Sequence, residues 1–474
     1  MRTSVITYRE VLGNSFRFDP SFHISEATEI RSALNHLPYG TTSVGSSSDK
    51  VFIGNIFSRV FVKEPSHGVP YLAASDTVLS NLDTGLYLSK SQASDLSYLM
   101  LNKDWILVTC SGTIGKVTYT NSNFCNRIAT HDLVRIVPND NVILRGCLYS
   151  FLASKYGYYQ LTQSRFGGVV KHINADHVKE IDVPVFPLSF QETVDLLIKD
   201  SAKLREEALA LQNEAYSLLI DDSGLMYSCP QLEEYDYYGP RPSDRFGITF
   251  SINRRDISGI SVNAFNYSAR IMKLKERIER TIEVKPLIKC LDQNGLFSTG
   301  SFPRVEVKPG HGIELINQRD IFDSIARGKT ISRRGVKIDN LVEENEIIIA
   351  GVGTLGESET FCRCVYANKY LAGKLISGEF IRMKSSSDVP SGYLFTWLNS
   401  PYGFRLIRNT QAGTKLCRPI PKLLESIPVP ILSHEMMLSI NEKALSAQVK
   451  LALAANKEIE AISLVEHEIE RWSN

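Results

Sequence analysis

The sequence predicts a mixed α/β chain: two similar globular domains joined by two long antiparallel helices, with an internal pseudo-two-fold. Three observations predict it. The chain has 474 residues, and at about 150 residues per domain this exceeds what one hydrophobic core organises. The same short motifs recur near half that length. Each half also ends in a long stretch of helix formers that contains neither glycine nor proline. The composition, 43% hydrophobic and 22% charged, is that of a folded protein and excludes disordered or fibrous classes.

The duplication is read first, because a repeat changes the meaning of every motif within it. Ile181-Asp182-Val183-Pro184-Val185 answers Ile427-Pro428-Val429-Pro430-Ile431, and the same offset aligns Leu152 with Leu398, Ser154 with Ser400, Tyr156-Gly157 with Tyr402-Gly403, and Gly167 with Gly413. Upstream, Gly112-Thr113-Ile114-Gly115 matches Gly353-Thr354-Leu355-Gly356, each behind an apolar run. A weaker match joins Phe18-Asp19-Pro20-Ser21-Phe22 to the segment Val262 to Tyr267.

In the first half the expected strands are Val51 to Ile56, Trp105 to Val108 and Leu133 to Val137; in the second they are Glu346 to Ala350 and Glu379 to Met383. Pro184 and Pro187 close the first globular part, and a helical pattern then runs to Ile220. Within it Val194, Ser201, Ala208 and Ala215 alternate with Leu197, Leu204, Leu211 and Leu218 at seven-residue spacing, an a/d coiled-coil seam. The leucines are expected to be the buried helix-pairing residues, meeting an alanine-rich partner around Leu451 in the second helix. The domain boundaries expected are 1–188 for the first globular domain, 189–220 for its helix, 221–244 for an acidic linker, 245–432 for the second domain and 433–474 for the second helix.

Charge is unevenly placed. The net +1 of the chain divides into +2 over residues 1–188, −8 over 189–244, +10 over 245–432 and −3 over 433–474. A basic globular domain suits a polyanion, while acidic helices suit protein or solvent. Arg333, Arg334 and Lys337 in the basic second domain are the candidate phosphate contacts.

Several chemistries are excluded. Gly112 to Lys116 lacks the first glycine and the Ser/Thr of a phosphate-binding loop, and the second copy has Glu357 in place of Lys116, so a tight glycine turn is the better reading. There is no Pro-Pro dipeptide for an amino-methyltransferase loop, no H-E-x-x-H and no G-x-S-x-G. The eight cysteines include no C-x-x-C pair, so no metal site is expected and the thiols are read as structural. No apolar run approaches the roughly 18–20 residues of a membrane span, and no secretory leader stands at the start, so a cytoplasmic, non-membrane protein is expected.

One polar cluster survives in duplicate. Gln163 to His172 in the first copy faces Arg408 to Arg418 in the second, both rich in Gln, Arg, Lys and Gly. Such side chains read base edges and hold phosphates. The candidate DNA contacts are therefore Arg165, Lys171 and His172 in copy one, and Arg408, Lys415 and Arg418 in copy two.

The strand-to-helix junction IDVPVFPLSFQETVDLLI, with Ile181, Pro184, Pro187 and Gln191 at matching positions, resembles the signature of the DNA-specificity (S) subunits of type I restriction-modification systems. Ser111 to Lys116 is also similar to that family's pattern. The second copy departs, with Met437 in the glutamine position and Ile431-Leu432-Ser433 where the second proline falls. The resemblance implies a non-catalytic recognition subunit in which each domain reads one half of a split, asymmetric target in double-stranded DNA and the two helices form a spacer. It implies two modification (methyltransferase) subunits and restriction subunits as partners. It implies no cofactor in this chain, S-adenosylmethionine, ATP and Mg being expected on the partners. The alternative read from the residues alone is a two-domain protein-interaction scaffold or inhibitor that does not touch DNA.

Overall fold

The computed structural model of the chain describes Tyr8, Ile30, Leu34 and residues 37–163, 172–225, 251–356 and 359–473. It divides into two compact units, one of residues 1–206 with 453–474 and one of residues 207–452. Most of the acidic linker expected at 221–244 lies outside the described residues.

Unit one opens with β1 (Thr41–Ser43), β2 (Ser48–Ile53), β3 (Phe61–Val62), β4 (Gly68–Leu72), β5 (Tyr87–Ser89) and the short helix α1 (Lys90–Asp95). Strands β6 (Ile106–Thr109), β7 (Val117–Tyr119), β8 (Ile128–Ala129) and β9 (Leu133–Pro138) follow. Next come α2 (Arg145–Ala153), α3 (Lys155–Gln163), α4 (Ala175–Lys179), β10 (Asp182–Pro184) and the start of the long helix α5 (Leu188–Ser223). The central sheet has the order β2-β9-β6-β7 and is antiparallel; β4 runs parallel to β8 in a second sheet, and β1 pairs with β10.

Unit two repeats this plan. After α6 (Ala269–Thr281) come β11 (Val284–Pro286), β12 (Leu291–Phe297), β13 (Ile313–Ile316), β14 (Lys329–Ile331), β15 (Ile347–Ala350), β16 (Cys364–Tyr366), β17 (Leu375–Ile376) and β18 (Phe380–Ser385). Helices α7 (Ser391–Asn399) and α8 (Pro401–Asn409) lead to β19 (Gln411–Ala412), β20 (Arg418–Pro419), α9 (Pro421–Leu424), β21 (Pro428–Pro430) and the second long helix α10 (His434–Ser473). Its central sheet is β12-β18-β15-β16, its second sheet contains β13 parallel to β17, and β11 pairs with β21. The central sheet, the parallel pair of the second sheet and the closing β1-β10 or β11-β21 pair correspond between the units, so the repeat in the sequence is a repeat of topology; β3 and the β19-β20 hairpin have no counterpart among the described residues. All four residues of β6 and of β15 are buried, which is why both read as unbroken apolar runs.

The recurring residues have local causes. Ser154 and Ser400 stand between paired helices, where each hydroxyl accepts from the amide of Gly157 or Gly403, a helix N-cap that restarts the chain as α3 or α8. A Cβ at Gly157 would lie 2.4 Å from the Phe151 carbonyl oxygen, and one at Gly403 would lie 2.3 Å from that of Trp397, so only glycine fits. The start of α2 docks on α5 through the Gly146 amide, which donates to Asp195 Oδ1 at 2.8 Å; the start of α7 docks on α10 through Gly392, which donates to Asn441 Oδ1 at 2.8 Å. Gln191 joins the same junction in unit one, accepting from the Leu144 amide and donating to the Phe186 carbonyl.

A buried arginine also repeats. Arg135 on β9 and Arg382 on β18 are 0% and 1% exposed. Arg382 makes a two-pronged ion pair with Glu346, 2.8 Å on each side, and donates to the carbonyls of Asp339 and Leu341. Arg135 donates to the carbonyls of Ala129, Thr130 and Leu133 instead. Its guanidinium is pulled down to about 10 by burial.

In both units α5 and α10 run antiparallel. In unit one Ser201 Oγ donates to the Ala454 carbonyl at 2.8 Å, and Lys457 pairs with Asp200. In unit two Lys450 pairs with Glu207 and Lys443 with Glu214. Each step of seven along α5 thus meets a step of seven backwards along α10. The residues this register sets face to face are sealed and mostly small: Val194 and Ala461, Ser201 and Ala454, Ala208 and Ala447, Ala215 and Ile440, none more than 1% exposed. Leu197, Leu204, Leu211, Leu218 and Leu451 are only half-buried and flank this row. The small residues, not the leucines, form the centre of the seam, and they let the helix axes approach closely.

Candidate nucleic-acid interface

In unit two the chain leaves β15 through Gly351 and Gly353. The Gly353 amide donates to the Cys417 carbonyl at 3.2 Å and the Cys417 amide returns a bond to the Gly353 carbonyl at 2.7 Å. This bridge ties the strand-turn motif to the duplicated polar loop, two features that are far apart in sequence. The loop is a hairpin: Gln411 pairs with Pro419 and Ala412 with Arg418, and Gly413 turns the chain at φ +117°, where a Cβ would lie 2.7 Å from the Leu416 carbonyl oxygen. Thr414, Lys415 and Leu416 at the tip, and Arg418 on the returning strand, are exposed.

Arg408 is placed differently. It lies on the inner face of the last turn of α8, 3% exposed, with Nη1 donating to the Gly356 carbonyl at 2.7 Å and the guanidinium over the Phe404 ring. It holds the turn after β15 against α8, which makes it a positioning residue rather than a surface donor. The base of the hairpin is held by two asparagines that sequence reasoning did not single out. Asn263 Nδ2 and Asn266 Nδ2 donate to the Gln411 carbonyl at 3.1 and 2.9 Å, and Asn409 Nδ2 donates back to the Phe265 carbonyl at 2.8 Å. The weak match at Val262 to Tyr267 was their signal; its counterpart Phe18 to Phe22 lies outside the described residues.

Unit one has the same junction. Ser111 bridges His172, and the Ile173 amide donates to the Cys110 carbonyl at 3.1 Å. Gly112 and Gly115 adopt φ of +71° and +81°, and Thr109 closes the turn by donating to the Thr113 carbonyl and accepting from the Lys116 amide. Backbone closure, not phosphate chemistry, accounts for the glycines. His172 is half-buried; Arg165 and Lys171 lie outside the described residues. Burial pushes the neighbouring Cys110 thiol up to about 12, which keeps it neutral and unreactive at physiological pH.

Arg333, Arg334 and Lys337 sit together on an exposed turn after β14, with Gly335 at φ +81°. The turn is stiff. The Lys337 amide donates to Asn340 Oδ1 at 2.8 Å, Asn340 Nδ2 donates to the Thr299 carbonyl, and buried Arg382 grips Asp339 and Leu341 just beyond. Three exposed cations thus stand together on a loop anchored from both sides.

Among the described residues there is no group of three or more His, Cys, Asp or Glu placed to hold a metal ion, and no helix is long and apolar enough to cross a membrane.

Residues 52–197 match the sequence family described as the type I restriction modification DNA specificity domain. No curated protein matches the chain. Among solved structures, the chain is similar to a type I restriction-modification system S subunit from M. genitalium, at 12% identity over 92% of this chain and 96% of that one, with a TM-score of 0.36. It is also similar to the HsdS subunit from Thermoanaerobacter tengcongensis, at 13% identity over 91% and 97%, TM-score 0.27. A third likeness, 12% identical over 92% and 97% with a TM-score of 0.25, is to a chain from a study of complex assembly and conformational transition of the type I R-M system.

Proposed function

We propose that this chain, whose residues 52–197 match the type I restriction modification DNA specificity domain, is the DNA sequence-recognition subunit of a type I restriction-modification system. The observation that carries the reading is the repeat. The central sheet of unit two has the strand order of the unit that holds the matched domain, and unit two presents a hairpin and a basic turn with exposed side chains. One scaffold used twice with different surface residues is the arrangement needed to read two different half-sites of a bipartite target.

In this reading the chain carries out no catalytic step and works in the cytoplasm. Two modification subunits bring S-adenosylmethionine and methylate adenine, restriction subunits bring ATP and Mg, and the helix pair serves as a spacer. Lys415 and Arg418 on the hairpin contact DNA directly in unit two, and Arg408 acts through the turn it holds. Arg165, Lys171 and His172 are the proposed counterparts in unit one.

The test is the methylation pattern of a complex carrying Arg418→Ala. A base-reading arginine contributes about 1–3 kcal/mol of discrimination, so the methylated motif is expected to become degenerate in one half and stay intact in the other. An intact motif at lower occupancy would reassign Arg418 to phosphate contact. The basic turn has a different signature. Reversing Arg333, Arg334 and Lys337 to Glu is expected to weaken binding to all sequences alike and to flatten the log-log salt dependence by about 0.9 for each phosphate that is no longer neutralised. An unchanged slope and affinity at low salt would remove this turn from the interface.

A further inference from the structure

The seam between the long helices does not by itself choose a partner. Val194, Ser201, Ala208 and Ala215 on α5 and Ile440, Ala447, Ala454 and Ala461 on α10 share one seven-residue spacing. Reversing either row against a second copy of itself sets small residues opposite small residues again, Val194 against Ala215 or Ala447 against Ala454. A surface of this kind permits pairing of like helices from two chains as readily as pairing of unlike ones.

The row beside the seam does discriminate. Asp200, Glu207 and Glu214 on α5 are spaced by seven, and each holds one lysine of α10: Lys457 at 2.9 Å, Lys450 at 2.6 Å and Lys443 at 2.6 Å. All three acids are on one helix and all three lysines on the other. In unit one a fourth pair has the opposite polarity, with Arg205 of α5 reaching Glu458 of α10 at 2.6 Å; Glu458 also accepts from the Tyr149 hydroxyl, and Arg205 donates to Ser201 Oγ. In the same register a pair of like α5 helices would set Asp200, Glu207 and Glu214 opposite Leu211, Leu204 and Leu197, with no counter-charge. A pair of like α10 helices would set Lys457, Lys450 and Lys443 opposite Ser446, Leu453 and Glu460, retaining only the last as an ion pair.

We propose that this ladder is a pairing code: it commits α5 to α10 and excludes the like-with-like helix pairs between copies of the chain that the small-residue seam would otherwise accept. The discrimination does not require any pair to contribute much to stability. Half-exposed ion pairs contribute little to it, whereas charges beside a coiled-coil seam set which helices associate.

Three full-length variants test the code by native mass spectrometry and thermal melting at low salt. Asp200→Lys with Glu207→Lys and Glu214→Lys places lysine opposite lysine. Lys443→Glu with Lys450→Glu and Lys457→Glu places acid opposite acid. The third variant carries all six changes. Each triple variant is expected to melt at least 5 °C below the parent, and the sixfold variant is expected to recover most of that loss as a monomer. Mixed during refolding, the two triple variants are expected to form mixed dimers about tenfold over either self-dimer, with the preference fading at high salt. Failure of the sixfold variant to recover, triple variants that melt like the parent, or self-dimers as abundant as mixed ones would overturn the proposal. The readouts involve no DNA, so they stand apart from the recognition function.

Discussion

Replacing Arg382 with methionine is expected to cost about 3–5 kcal/mol of stability in unit two, the loss typical of removing one partner from a buried ion pair. The change leaves the Glu346 carboxylate, 0% exposed, without a counter-charge, and leaves the carbonyls of Asp339 and Leu341 without their donor. The orphaned acid, rather than the missing attraction, dominates this cost, so a second change removes most of it. Arg382→Met with Glu346→Leu should recover the larger part, because an apolar pair of similar volume is often as stable as the ion pair it replaces. Arg135→Met in unit one strands no acid, since Arg135 bonds only carbonyls, and is expected to cost about 1–3 kcal/mol. Denaturant unfolding of the three variants, followed by hydrogen exchange, measures the order. Equal losses for Arg382→Met and Arg135→Met would contradict the assignment of Glu346 as the source of the difference.

The second large effect lies in the helix seam. Ala447→Leu and Ala454→Leu each insert an isobutyl group at a position 0% exposed, opposite Ala208 or Ser201. Overpacking of this kind typically costs about 1–3 kcal/mol per site, and here it forces apart backbones close enough for Ser201 to bond the Ala454 carbonyl. By contrast, Leu204→Asp and Leu211→Asp alter half-buried positions, and their joint cost is expected to be below the about 2–5 kcal/mol per residue of a fully buried leucine. Melting temperatures decide between the two rows. A larger drop from the leucine pair than from the alanine pair would return the leucines to the centre of the seam.

Which parts of this were legible in the sequence follows from the physics of each signal. The duplication was legible because its markers are backbone constraints: the capping Ser154 and Ser400, the crowded Gly157 and Gly403, and the prolines that end β10 and β21. Few residues fit such sites, a small polar cap in one case and only glycine in the other, so the two copies keep them. The heptads of α5 were legible as a seam, but a single helix shows two candidate rows, and only the matching row Ile440, Ala447, Ala454 and Ala461 reveals which one faces the partner. Arg408 and Arg418 looked equivalent because charge carries no depth. The former is buried because α8 continues to Asn409 and turns that side chain inward; the latter is exposed because it lies on a hairpin beyond the helix. Arg135 and Arg382 were missed although a signal existed. Each interrupts an otherwise apolar strand, Leu133-Val134-Arg135-Ile136-Val137 and Phe380-Ile381-Arg382-Met383, at the same place in both copies.

The repeat also limits what each half can do alone. In both units the strand turn is bridged to the segment that precedes the proline-bearing strand, Ser111 to His172 in one and Gly353 to Cys417 in the other.

The most direct test of DNA recognition by this chain is base-resolution sequencing of methylated adenines in DNA from cells that express it with its modification subunit. The account predicts a motif of two specified half-sites separated by a fixed run of unspecified bases, absent when this chain is withheld. Methylation that persists without the chain, or the absence of any motif in its presence, would contradict it and favour a scaffold that does not read DNA.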